Sequence, residues 1–146
     1  MSERTNSVFS LVAEAVGLDE HILLSFFEGE EFFTLELSES FSGEELIIEA
    51  LFVPVDLHGE GWGRKIMAAV EKAACAESYS CISLRAIPYA IGKGTSAREI
   101  RYLVSWYESQ GYEVVHQGEL ENLKNDTVYT HETGSVNMIK KINRNK

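Results

Sequence analysis

The sequence predicts an α+β fold, a mixed and mostly antiparallel sheet with helices on both faces. Three observations lead there. An apolar run, Leu46–Val53, ends in a turn with glycines at 59, 61 and 63, and a segment of helical period starts at once. Short runs rich in β-branched and aromatic residues alternate along the chain with segments of period 3.6. Farther on, Ser96 and Glu99 form the S-x-x-E pair that opens a helix.

Ser7–Gly17 carries Val8, Leu11, Val12, Ala15 and Val16 at helical spacing, and Gly17 closes it. Asp19–Glu28 reads as a second short helix. Glu31–Ser38 (EFFTLELS) reads as a strand, SESFSGE as a turn, and Glu45–Val53 as the next strand, antiparallel to the first. Trp62 to about Glu77 is a helix with Ile66, Met67 and Val70 on one face. Cys81–Pro88 alternates as a strand that Pro88 ends. Tyr89–Thr95 is a glycine-containing loop. The helix capped by Ser96 places Ile100, Leu103, Val104 and Tyr107 on one stripe and stops near Gly111, a position suited to a left-handed cap. Tyr112–Val115 is a short strand, Gln117–Asp126 a polar loop, and Ser135–Ile142 the closing strand.

A chain of 146 residues fits one domain, 1–146, large enough to need neither disulfide nor metal. No apolar run approaches the length of a membrane span, and MSERTNSVF lacks the basic flank and apolar core of a signal peptide, so a cytoplasmic protein is expected. Cys75 and Cys81 follow no metal spacing; buried free thiols are expected, Cys75 on the helix and Cys81 at the start of the strand. His21, His116 and His131 are scattered, and no metal is expected.

The charge is uneven. Residues 1–60 hold 14 acidic side chains and one basic, residues 61–146 hold nine and 12, and the whole chain carries −10. The anionic half argues against contact with a nucleic-acid backbone and suits a cationic partner; net charge that only maintains solubility is the plainer reading. The later half, with Arg64 and Lys65 just past the glycines, suits an anionic ligand.

Strand, glycine turn and helix together make a seat for phosphate: glycines let the backbone approach, and the first helical N–H groups lack internal acceptors. The order G-x-G-x-G is not the G-x-G-x-x-G of a dinucleotide site, and GKGTS (Gly92–Ser96) lacks the spacing of a P-loop. The stretch Val53, Pro54, Val55, Asp56, Leu57, His58, Gly59, Glu60, Gly61, Trp62, Gly63 resembles the acetyl-CoA loop of the GNAT superfamily of N-acetyltransferases, V-x-P-x-x-[QR]-x-x-G-x-[GA]. IEALFV before it is similar to the IEDLYV-like strand of the spermidine/spermine-type enzymes. SWYESQGYEVV resembles the L-Y-x-x-x-G-F signature, and NMIKKI the last strand of that fold. The resemblance covers about Glu45–Ile142.

The resemblance implies a function and a site. Acetyl-CoA would be the co-substrate and a primary amine the acceptor, a small cationic amine or a protein amine. Leu51, Phe52 and Val53 would hold the pantetheine arm, and the backbone of His58, Gly59, Glu60, Gly61, Trp62, Gly63 and Arg64 would surround the pyrophosphate. Glu49 matches the carboxylate of the IEDLYV pattern and would serve as base, with Glu45 on the same face as a relay. Period-2 geometry sets Glu49 on the face of Leu51 and Val53. A half-exposed surface glutamate is the alternative. Tyr107 matches the signature tyrosine and would protonate the departing thiolate; a core aromatic with its hydroxyl satisfied by backbone is the alternative. His58 stands where the family has Gln or Arg. Glu60 adds a like charge, costing about 0.7 kcal/mol at ~6 Å from phosphate in high dielectric. Only about 30 residues precede the first strand, where the family has a strand and two helices, so the N-terminal part is shortened. That leaves a sheet edge that a second copy would cover in a homodimer. The competing function class is a GNAT-like module that binds a partner protein and catalyses nothing.

Overall fold

The computed structural model describes residues 3–18, 34–52, 59–86, 95–129 and 134–142. They fall into two compact units, one drawn from Met1–Ile82 and Lys141–Lys146, the other from Ser83–Lys140. In chain order the elements are α1 (Glu3–Val16), β1 (Thr34–Glu39), β2 (Glu45–Phe52), α2 (Trp62–Ala76) and β3 (Cys81–Ala86), then β4 (Thr95–Ser96) and α3 (Ala97–Glu108). They continue with β5 (Glu113–Val114), α4 (Gln117–Glu121), β6 (Val128–Tyr129) and β7 (Val136–Lys141).

In the first unit α1 starts four residues before the expected helix. Val8, Phe9, Val12, Ala13 and Val16 make its buried stripe, and it packs on α2 and β1. Gly17 sits at φ +75, so its N–H reaches Glu14 O at 3.2 Å and the Leu18 N–H reaches Ala13 O at 3.0 Å, a Schellman closure. α2 ends by the same motif on Ser78 (φ 67), with Ser78 N–H to Cys75 O and Tyr79 N–H to Ala74 O, both 3.0 Å. Arg4 ties three segments together: its guanidinium donates to Gly43 O (2.7 Å) and Glu77 O (2.9 Å) and lies 4.0 Å from the centroid of Tyr79. Tyr79, fully buried, in turn donates to Glu39 at 2.6 Å.

β1 and β2 pair antiparallel around a turn in which Gly43 N–H bonds Ser40 O and Ser40 N–H bonds Glu45 O, both at 2.9 Å. Leu35, Leu37, Leu46 and Ile48 are buried on one face of the pair, with α1 against β1 and α2 against β2, and Ile66, Met67 and Val70 of α2 are inaccessible to water. Sheet neighbours run β1-β2-β3 here.

In the second unit the order is β3-β7-β5, with Glu113 opposite Ile139 and Val114 opposite Met138, antiparallel. The capping box is formed as expected: Ser96 Oγ accepts from Glu99 N–H at 3.2 Å, and Glu99 Oε1 accepts from Ser96 N–H at 3.0 Å. α3 buries Ala97, Ile100, Val104 and Tyr107 and leaves Leu103 half-buried. It stops at Glu108, and Gly111 (φ 96) takes the left-handed position beyond it.

Two expectations are corrected. Part of the stretch read as a polar loop, Gln117–Asp126, is helical: α4 spans Gln117–Glu121. Its order comes from a distant partner, since Glu119 accepts from both the backbone N–H (2.9 Å) and the side-chain amide (2.7 Å) of Asn137. Thr95 and Ser96, read as the end of a loop and a cap, also pair antiparallel with Tyr129 and Val128 in a two-stranded sheet. The helix expected at Asp19–Glu28 lies outside the described residues, as do 31–33 of the first strand and most of the loop Tyr89–Thr95.

Candidate active site

The glycine turn leads straight into α2. Gly59 (φ 86) and Gly61 (φ 82) are both left-handed, which an L side chain adopts only with strain, and a Cβ built on either would meet none of the described residues within 4 Å. Gly61 is the N-cap; no side chain caps it, and its carbonyl accepts the first helical bond from Lys65 N–H at 3.0 Å. The first turn of α2 has no acidic residue. Arg64 and Lys65 are exposed, and the Lys65 ammonium lies 4.8 Å from the ring centroid of Trp62, a half-buried residue that starts the helix. An open backbone turn, an uncapped helix of 15 residues and two cations in the first turn fit an anion such as a pyrophosphate. Glu60, exposed between the glycines, opposes it. Val53 and His58 lie outside the described residues.

β2 carries Glu49, and here the ladder is irregular. Glu36 pairs with Ala50 and Leu37 with Ile48, so Glu49 has no partner on β1: it is the extra residue of a β-bulge. The bulge resets the alternation. Leu51 pairs with buried Leu35 and so shares the face of Leu46 and Ile48, whereas Glu49 accepts a hydrogen bond from Ser38 on the other face, at 2.7 Å. The strict period that was expected to align Glu49 with Leu51 therefore does not run through this strand. Glu49 is exposed, Leu51 half-buried, and the backbone of Phe52 pairs with Thr34. Sequence reasoning missed Ser38 and the bulge; EALF contains no glycine or proline to mark it.

Tyr107 lies on the buried stripe of α3, 6% exposed, with edge contacts to Trp106 (5.0 Å between centroids) and Tyr112 (5.7 Å). Burial pushes its phenol up to about 12. Among the described residues none is seen to hydrogen-bond its hydroxyl.

The thiols differ from expectation. Cys75 is exposed, with its thiol toward Ile142 O at 3.4 Å, because it falls on the outer side of α2. Cys81 is half-buried and donates to Glu45 at 3.7 Å; burial first, then the Glu45 charge, pushes its thiol up, away from the thiolate a nucleophile needs. Among the described residues no His, Cys, Asp and Glu group forms a metal set, and no helix is long and apolar enough to cross a membrane.

No protein-family model matches the chain, and no curated protein matches it. Solved structures do. An aminoglycoside 6'-N-acetyltransferase complexed with coenzyme A superposes with a TM-score of 0.55 at 13% identity, over 97% of this chain and 92% of that one. A Lactobacillus plantarum protein assigned as an N-acetyltransferase gives 0.50 at 18% identity, over 97% and 94%. Ard1 from Thermoplasma volcanium gives 0.52 at 14% identity, over 75% and 62%. The chain spans only about half to three fifths of several structures that it matches, among them nourseothricin acetyltransferase, at 56% of its length. Identities this low speak to architecture, and the architecture agrees with the mixed, antiparallel arrangement of the described strands: the chain has the fold of the GNAT superfamily of N-acetyltransferases.

Proposed function

We propose that this protein is an N-acetyltransferase that moves an acetyl group from acetyl-CoA to a primary amine by direct attack. The observation that carries the reading is the left-handed Gly59–Gly61 turn, open to solvent, at the uncapped start of α2 in a GNAT fold. Backbone N–H groups there would hold the pyrophosphate, with Arg64 beside them, and Leu51, Phe52 and Val53 would flank the pantetheine arm.

An alkylamine of pKa about 10.4 is protonated at neutral pH, and releasing that proton costs about 4–5 kcal/mol. Glu49 takes the proton, directly or through a water that Glu45 helps to hold. The amine nitrogen then bonds to the acetyl carbon while the carbon–sulfur bond breaks, and a backbone N–H near Val53 meets the charge on oxygen. Tyr107 serves the departing sulfur. A phenol at about 12 is a weaker acid than a thiol near 8.5, so full transfer in water would cost about 5 kcal/mol. Tyr107 therefore acts first as a hydrogen-bond donor, and its proton passes as the sulfur takes charge, since the burial that raises the phenol also raises the basicity of a thiolate beside it. The second proton of the attacking nitrogen leaves to solvent as the neutral amide forms, and solvent returns a proton to Tyr107 and removes the one on Glu49. No cysteine is acylated.

The anionic N-terminal half supports a cationic acceptor, a polyamine or a basic protein segment. Native mass spectrometry of the purified protein tests the first step, and an amine panel with acetyl-CoA tests the second. Co-purified CoA with turnover that falls in Glu49→Gln and Tyr107→Phe supports the reading. CoA binding without turnover of any amine, and with no effect of Tyr107→Phe, supports a non-catalytic module instead.

A further inference from the structure

We propose that Ser38 is a positioning residue for Glu49: its hydroxyl fixes one carboxylate oxygen of the base and leaves the other to the acceptor amine. The proposal rests on the reading of Glu49 as proton acceptor. Ser38 Oγ donates to Glu49 Oε2 at 2.7 Å, and no described residue bonds Oε1.

The bulge explains why such a device is needed. Glu49 has no partner across the β1–β2 ladder, so β1 places no residue directly opposite it, and a glutamate without a fixed contact samples many rotamers. Ser38 pairs with Ile47, two residues away along β2, which sets its hydroxyl diagonally across from Glu49. A serine adds no charge, and its short stem stays with the strand.

The contact differs from one that a carboxylate of β1 makes. Glu39 receives the hydroxyl of Tyr79, a side chain buried in the core, and that bond helps to hold the fold. The Ser38–Glu49 bond is exposed to solvent, where a hydrogen bond adds little to stability. What it changes is the direction of one carboxylate.

Release of CoA thiol from acetyl-CoA is read with spermidine, kanamycin and a lysine-containing peptide as acceptors. Ser38→Ala is expected to lower kcat about 5- to 20-fold and to leave KM for acetyl-CoA within about twofold. Ser38→Thr, which keeps the hydroxyl, restores kcat to within about threefold, and Ser38→Val, of the same shape without it, does not. In a Glu49→Gln background, adding Ser38→Ala changes kcat by less than about twofold. The same loss in that background, or a Ser38→Val protein as active as Ser38→Thr, overturns the proposal. A Glu49→Gln protein of wild-type rate removes the base reading, and with it this one. A wild-type protein that releases thiol with none of the three acceptors removes the transferase reading itself.

Discussion

The guanidinium of Arg4 lies 4.0 Å from the ring centroid of Tyr79 while it donates to the carbonyls of Gly43 and Glu77. One side chain near the N-terminus thus closes the C-terminus of α2 and the β1–β2 turn together. Arg4→Ala removes two charge-assisted bonds and a cation–π contact, and should destabilise the protein by about 2–3 kcal/mol, a fall of roughly 4–12 °C in Tm. Arg4→Lys keeps the charge without the fork and should fall between. Thermal unfolding of the three proteins checks both values.

Ser78 holds the left-handed position at the end of α2, where α1 and α3 have Gly17 and Gly111. Its side chain is exposed and no described group bonds it, so the strain of φ 67 is uncompensated. Ser78→Gly should therefore stabilise the fold by about 0.5–1 kcal/mol, and Ser78→Val should destabilise it by at least as much. Denaturant midpoints at constant slope decide it.

The Tyr107 phenol supplies an alkaline signature. Its pKa in the fold, about 12, lies above the value near 10 of an unfolded tyrosine, so the folded state holds the proton more tightly. That contribution is complete below pH 10 and is lost as pH rises from 10 through 12. Tyr107→Phe cannot ionise there, so wild type should lose about 2–3 kcal/mol relative to it across that window. The ultraviolet phenolate titration of wild type minus Tyr107→Phe should likewise show one tyrosine ionising late.

Glu99 gives the opposite sign. Its bonds from the Ser96 backbone and then the Ser96 hydroxyl hold its carboxyl below the usual range. Stability from this pair is present above the unfolded carboxylate pKa and is lost as pH falls through the lower folded one. Ser96→Ala should cost about 1 kcal/mol at neutral pH, and the difference from wild type should shrink in acid. Unfolding midpoints of both proteins at pH 7 and pH 3 test it.

These local devices were legible because each is written in adjacent residues: Gly17 and Gly111 as caps, Ser96 with Glu99, the glycines ahead of α2. The features that escaped depend on contacts far apart in sequence. The bulge at Glu49 exists only relative to β1, and α4 is held by Asn137, 18 positions from Glu119. β4 and β6 are two residues each, too short for a period to register. Cys75 was misjudged because a thiol is usually buried, while the turn of α2 points it outward. Of the site, the glycine turn and the positions of Glu49 and Tyr107 on their elements were readable; Ser38 was not, because a serine in a strand carries no signal of the side chain it meets.

The central claim is that the turn at Gly59 and Gly61 grips a pyrophosphate. Calorimetric titration of CoA and of pantetheine, which lacks the nucleotide and both bridging phosphates, tests it most directly. CoA should bind wild type with Kd on the order of 1–100 μM, pantetheine at least about 30-fold more weakly, and Gly61→Val should erase most of that difference. If CoA and pantetheine bind alike, or Gly61→Val leaves CoA affinity unchanged, the turn is not the seat of the cofactor and the account is contradicted.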